Sequence, residues 1–127
     1  MKLIIAEKPS IGRAIAGHFG VTTERKTHIE CQNGYVVTWL FGHVLKQFDP
    51  EEYTSDWKSW QCPLPMRPQV YKNKIQDSDS IKFQVGAINQ LLKNSSQVIN
   101  AGDPDREGQL LVDELLDYLQ NNKPVLR

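Results

Sequence analysis

Three carboxylates stand at alternating positions in Asp103-Pro104-Asp105-Arg106-Glu107-Gly108, directly after the apolar run Val98-Ile99-Asn100-Ala101-Gly102. A short apolar strand, then Gly, Asp and Pro, then a helical pattern, reads as a strand-to-helix corner. Acids there lie at the carboxyl end of the strand, where open α/β sheets place their ligands. At ~5 Å and an effective dielectric of ~20, each like-charged pair costs roughly 3 kcal/mol. The spacing therefore implies a bound cation or a retained proton. Pro104 biases Asp103 toward extended backbone, and residues two apart on an extended segment point the same way. Asp103 and Asp105 are thus expected to converge on one hard cation. Oxygen-only donors suit Mg²⁺ or Mn²⁺, not zinc. Magnesium held by few carboxylates takes its other ligands from water and phosphate. Helix capping by Asp105 and dipole pairing by Glu107 also account for acids at these places. For Asp105 alone, capping suffices.

Glu7 and Lys8 form a second candidate pair. They follow the apolar run Lys2 to Ala6, the expected first and central strand. In a parallel sheet that places Glu7 on the same edge as Asp103. An acid there can transfer protons, and a lysine can hold phosphate. A solvated Glu-Lys pair on a loop is the alternative from spacing alone.

These residues need elements to position them. Pro9 suits a first helical turn and Ser10 a cap. Ile11, Ala14, Ile15, His18 and Phe19 recur at helical spacing, and Gly20 supplies a stop. Asn33-Gly34 predicts a hairpin turn between His28–Gln32 and Tyr35–Leu40. Residues 41–79 are irregular, since Pro50, Pro63, Pro65 and Pro68 break regular structure. Tyr53, Trp57, Trp60 and Tyr71 in that stretch form either a base-stacking surface or a pin onto the core. Ser78 or Ser80 caps a helix with the face Ile81, Val85, Ile88, Leu91 and Leu92. The strand Val98–Ala101 and the acidic corner follow. Then comes a helix with the face Leu110, Leu111, Leu115, Leu116 and Leu119, and Pro124-Val125-Leu126 begins another strand.

Composition bounds the rest. At 127 residues the chain suits one α/β domain, residues 1–127, with a real core. Fifteen basic and fifteen acidic side chains cancel. Any contact with nucleic acid must therefore be local. No apolar run reaches the ~20 residues of a membrane helix, and the N-terminal run is too short for a secretion signal. Cys31 and Cys62 with scattered His18, His28 and His43 argue against zinc and fit a reducing cytoplasm.

Glu7-Lys8-Pro9-Ser10, followed by Gly12-Arg13-Ala14-Ile15-Ala16 and later by Asp103-Pro104-Asp105-Arg106-Glu107-Gly108, resembles the N-terminal TOPRIM domain of type IA DNA topoisomerases. Ala6-Glu7-Lys8-Pro9-Ser10, Phe41-Gly42-His43-Val44-Leu45 and the Trp/Pro-rich stretch to Pro68 are similar to the topoisomerase III branch. The resemblance covers essentially the whole chain. It implies a Rossmann-like α/β fold with a mainly parallel four-stranded sheet and helices on both faces. It implies general acid/base work for Glu7, a phosphate contact for Lys8, and Mg²⁺ binding, with Mn²⁺ as a substitute, by Asp103, Asp105 and Glu107. Arg106 and His43 match family positions. Arg106 either reaches phosphate or neutralises its acidic neighbours; His43 lies near the DNA side or is structural.

The implied reaction is ATP-independent breakage, passage and rejoining of single-stranded DNA through a 5′-phosphotyrosine. The family's nucleophile lies in a Y-P-R-T-like context that Tyr35, Tyr53, Tyr71 and Tyr118 lack. The expectation is a domain that is inactive alone, holding the acidic half of a site. A TOPRIM nuclease or primase-type domain and a non-catalytic docking fragment are the alternatives.

Overall fold

The computed structural model describes residues 1–58, 68 and 70–127. Trp60, Cys62, Pro63 and Pro65 lie outside the described residues. The main sheet contains β1 (Lys2–Ala6), β2 (Val21–Glu24), β3 (His28–Cys31), β4 (Tyr35–Trp39), β7 (Gln97–Ala101) and β8 (Val125–Leu126). Its order is β2-β3-β4-β1-β7-β8. The strands β4-β1-β7-β8 are parallel neighbours and form the expected four-stranded core. The antiparallel β2 and β3 extend it to six. β2 escaped the sequence reading because all four of its residues are exposed, so no buried face marks it.

β1 is central and apolar on both faces. Leu3 and Ile5 point to one side, against Val85, Ile88 and Leu92 of α3 (Asp79–Asn94) and Leu111, Val112, Leu115 and Leu116 of α4 (Arg106–Tyr118). Ile4 and Ala6 point to the other, where α1 (Pro9–Phe19) packs with Ala16. This period-two division puts helices on both faces. The connection from β1 thus runs over one face and that from β7 over the other. Their carboxyl ends therefore flank a crevice of the kind where open α/β sheets bind ligands.

Two helix readings shift. Lys8, not Ser10, is the N-cap of α1, with Pro9 in its first turn. Ala14 and His18 face solvent, and the packed face is Ile11, Gly12, Ile15, Ala16 and Phe19. Gly12 lets this face approach Trp39 closely, since a Cβ there would come 2.8 Å from the ring. In α3, the buried face includes Gln84, 2% exposed. Its Nε2 lies 3.0, 3.1 and 2.8 Å from Thr27 O, Thr38 Oγ1 and Trp39 O, three acceptors that share its two hydrogens. A polar residue at a core position is hidden from a hydrophobic pattern. The expected Asn33-Gly34 turn forms, both residues in the left-handed region at φ 57° and 75°, with the Tyr35 N–H returning to Gln32 O.

Between β4 and α3, short elements replace the expected irregular stretch. β5 (Leu45–Gln47) pairs with β6 (Asn73–Ile75), and α2 (Pro50–Tyr53) lies between them. Phe48, Tyr53 and Trp57 pack ring on ring at 5.5 and 6.1 Å, and Tyr53 Oη accepts the Lys72 N–H at 2.8 Å. These three pin the excursion down. Among the described residues no helix is long and apolar enough to cross a membrane.

Lys74 pairs with Glu52, and Lys46 with Asp77 at 2.8 Å. The ammonium of Lys74 holds the Glu52 carboxyl below its ordinary range, and that of Lys46 does the same for Asp77. Depressed folded-state values give stability that is complete above the unfolded carboxylate range. It is lost as pH falls through the depressed values. Acidifying from about pH 5 to about pH 3 is therefore expected to lower hydrogen-exchange protection at Lys46 and Lys74 before that of β1 and β7. Uniform loss across both sheets would contradict this.

Candidate active site

The parallel register sets Ala6 opposite Ala101, so Glu7 and Gly102 leave the sheet at one level. Glu7 is 8% exposed. Its Oε2 accepts the Asp103 N–H at 3.4 Å, and its Oε1 lies 3.6 Å from Lys8 Nζ. The expected meeting of the β1 edge with the acidic corner therefore occurs. On the other flank, Ala6 O accepts the Leu40 N–H at 2.8 Å and Glu7 O accepts the Gly42 N–H at 3.3 Å. Gly42, at φ +72°, turns the strap after β4 across the end of β1. That strap carries His43, whose Nε2 lies 3.0 Å from Glu107 Oε1. His43 thus bridges from the β4 side to the acidic corner.

The corner is built by close backbone contact. A Cβ on Gly102 would stand 2.2 Å from Gly108 O, and one on Gly108 would stand 2.5 Å from Asp103 N. Two facing glycines let the turn press against the first turn of α4. Asp105 is the N-cap, its Oδ1 accepting the Gly108 N–H at 2.6 Å. Asp103 O accepts from Asp105 N at 2.8 Å and from Arg127 Nη2 at 2.9 Å.

Asn100 carries a role that the sequence reading missed. It is 4% exposed. Its Nδ2 donates to Asp113 Oδ1 at 2.8 Å, and its Oδ1 accepts the Gly102 N–H at 3.0 Å. One amide ties β7, the turn and α4 together. The only sequence signal was a polar residue inside an apolar strand.

The acids themselves are dispersed. Asp103 is half-buried, and Asp105 and Glu107 are exposed. Asp105 caps the helix and Glu107 faces His43. Among the described residues, no three His, Cys, Asp or Glu form a group that could hold a metal ion. Asp105 and Glu107 are thus exposed to solvent and each has a partner of its own, without an enclosed cage. Exposed oxygen donors still suit a hydrated Mg²⁺, which needs few carboxylates when phosphate completes its shell. Arg106 is exposed and makes no ion pair with a described residue.

Asn100→Leu is expected to leave the Gly102 N–H and the Asp113 carboxylate unpaired, costing about 1–3 kcal/mol in urea unfolding. Gly102→Ala should cost about 1–3 kcal/mol by overpacking. Wild-type stability in both variants would show that the corner is not held this way.

Comparison with known proteins gives a consistent result. The Toprim domain family model matches residues 2–127. A DNA topoisomerase 3 of Salmonella typhimurium is 48% identical over 122 residues, covering 94% of this chain and 18% of the relative. A DNA topoisomerase 3 of Vibrio cholerae is 44% identical over 119 residues, covering 92% and 18%. One from Staphylococcus epidermidis is 36% identical over 126 residues, covering 98% and 18%. The chain thus spans 18% of the length of these relatives.

Proposed function

The chain belongs to the Toprim domain family, and from that premise we propose that it supplies the acid/base and metal-binding half of a type IA DNA topoisomerase site. The observation that carries this reading is the contact of buried Glu7 with the Asp103 N–H across parallel strands. It joins the two motifs at one sheet edge. The substrate is single-stranded DNA, and the protein works in the cytoplasm. The nucleophilic tyrosine comes from outside these 127 residues.

In this reaction a tyrosine oxygen attacks phosphorus, and the bond from phosphorus to the 3′ oxygen breaks. The phosphate stays on the tyrosine as a 5′ ester. Glu7 takes the phenolic proton as the tyrosine attacks and passes it to the departing 3′ oxygen, and both transfers reverse when that oxygen attacks to reseal the strand. The phosphotyrosine conserves the bond energy, so rejoining needs no ATP. Lys8 Nζ, beside Glu7 but with a half-exposed side chain, binds a phosphate oxygen. Arg106 offers a second cationic contact, and His43 orients Glu107 from the strap. Asp103, Asp105 and Glu107 would hold Mg²⁺ or Mn²⁺, which when bound offsets phosphate charge and polarises the phosphoryl oxygen.

Two experiments test this. A chimera carrying residues 1–127 in place of the matching segment of the Salmonella relative should relax negatively supercoiled DNA only with Mg²⁺ or Mn²⁺. Glu7→Gln should lower the rate by about a hundredfold or more; undiminished relaxation would remove Glu7 from the chemistry. Isothermal titration of the 127-residue chain with Mn²⁺ should give binding that Asp103→Asn abolishes. The dispersed acids favour one second reading, a docking domain without a metal. Absence of Mn²⁺ binding both with and without a single-stranded oligonucleotide would support it.

A further inference from the structure

We propose that a cleft between the β2–β3 loop, the strap after β4 and the start of α3 is a base-stacking subsite for single-stranded DNA. The proposal rests on the reaction assigned above and adds where a base of the bound strand lies. The cleft measures about 340 Å³, within the ~300–1,000 Å³ typical of small-ligand sites. Phe41 and Phe83 line it and are 44% and 59% exposed. Lys26 Nζ stands 5.6 Å from the Phe83 ring centroid and forms no ion pair with a described residue.

The position ties the cleft to the candidate active site. β3 runs antiparallel to β4, with His28 opposite Thr38. Lys26 and Thr27 therefore sit at the carboxyl end of β4, on the Glu7 edge. Phe41 lies between Leu40 and Gly42, whose N–H groups bind Ala6 O and Glu7 O. The backbone on both sides of this ring is thus anchored to the end of β1. The floor is equally fixed, since buried Gln84 locks α3 to Thr27, Thr38 and Trp39 through three contacts.

The chemistry selects a nucleotide. Exposed aromatic faces stack on any base, because every base presents a π-face. Lys26 offers a cation to the adjoining phosphate. Asp79, which also lines the cleft, can accept from an exocyclic amine, as carboxylates do from cytosine. In a chain of zero net charge, such local contacts must supply what a general basic field does not.

Binding of the 127-residue chain to fluorescent octadeoxythymidylate, followed by anisotropy at low salt, tests the proposal. An octamer with abasic sites in place of bases is the comparison. Phe41→Ala and Phe83→Ala should each weaken the thymidylate complex roughly 5- to 100-fold. Phe83→Trp should retain it, and the abasic octamer should bind weakly and ignore all three changes. Lys26→Gln should weaken both ligands and reduce the salt slope by about 0.7. Unchanged thymidylate affinity in both alanine variants, with loss in Lys8→Gln, overturns the subsite and leaves the assigned reaction standing; a cleft that takes a protein segment gives this result. Equal affinity for the abasic octamer, or no binding of thymidylate by the wild type, also overturns it. The Mn²⁺ titration of Asp103→Asn reports separately on the assigned reaction.

Discussion

The pairing of β1 with a parallel strand on each side is the constraint on which the rest of the structure depends. Ala6 lies opposite Trp39 on one flank and Ala101 on the other. That register brings Glu7, the strap after β4 and the acidic corner out of the sheet at one height. A slip of one residue would reverse every side chain of β1 between the two faces. Leu3 and Ile5 would then meet α1, where Gly12 and Ala16 allow close approach and leave little room. Two ladders and two unequal cores therefore hold the strand that positions Glu7.

Buried amides secure the same edge from both sides. Gln84 joins α3 to the ends of β3 and β4, and Asn100 joins β7 to the turn and α4. Each fills backbone hydrogen-bonding positions that the sheet leaves open at its end. Such groups are costly when unpaired and directional when paired. They give exposed functional side chains a rigid base. The facing Gly102 and Gly108 add to it by removing the side chains that would separate turn from helix.

The acids follow the opposite rule. Asp105 and Glu107 are exposed, each with its own partner. On the proposed reading this is useful. Carboxylates that remain hydrated carry little mutual repulsion before substrate arrives, and a phosphate can complete the coordination of a hard ion. The buried member of the site is Glu7, the residue assigned to proton transfer. Protein and substrate would then share the work of building the metal site.

Local order was largely legible in the sequence. The apolar run of β1, Gly20 after α1, the Asn33-Gly34 turn and Asp105 as a cap each act through their own backbone or neighbours within a few residues. The motifs around Glu7 and Asp103 likewise announced themselves by residue type and spacing. Spacing offered Asp105 both as a cation ligand and as a helix cap, and its Oδ1 accepts the Gly108 N–H. What spacing did not reveal was β2, the rotated face of α1, and the core positions of Gln84 and Asn100. Those outcomes depend on partners distant in the chain, such as Trp39 against Gly12 or Thr27 beneath Gln84. By itself, then, the sequence determined the core strands and helices and which side chains can do chemistry, because propensity and chemical type are local. Only the tertiary structure decided that Glu7 meets Asp103, 96 residues away, and that the acids stand apart, because register and packing are settled between segments.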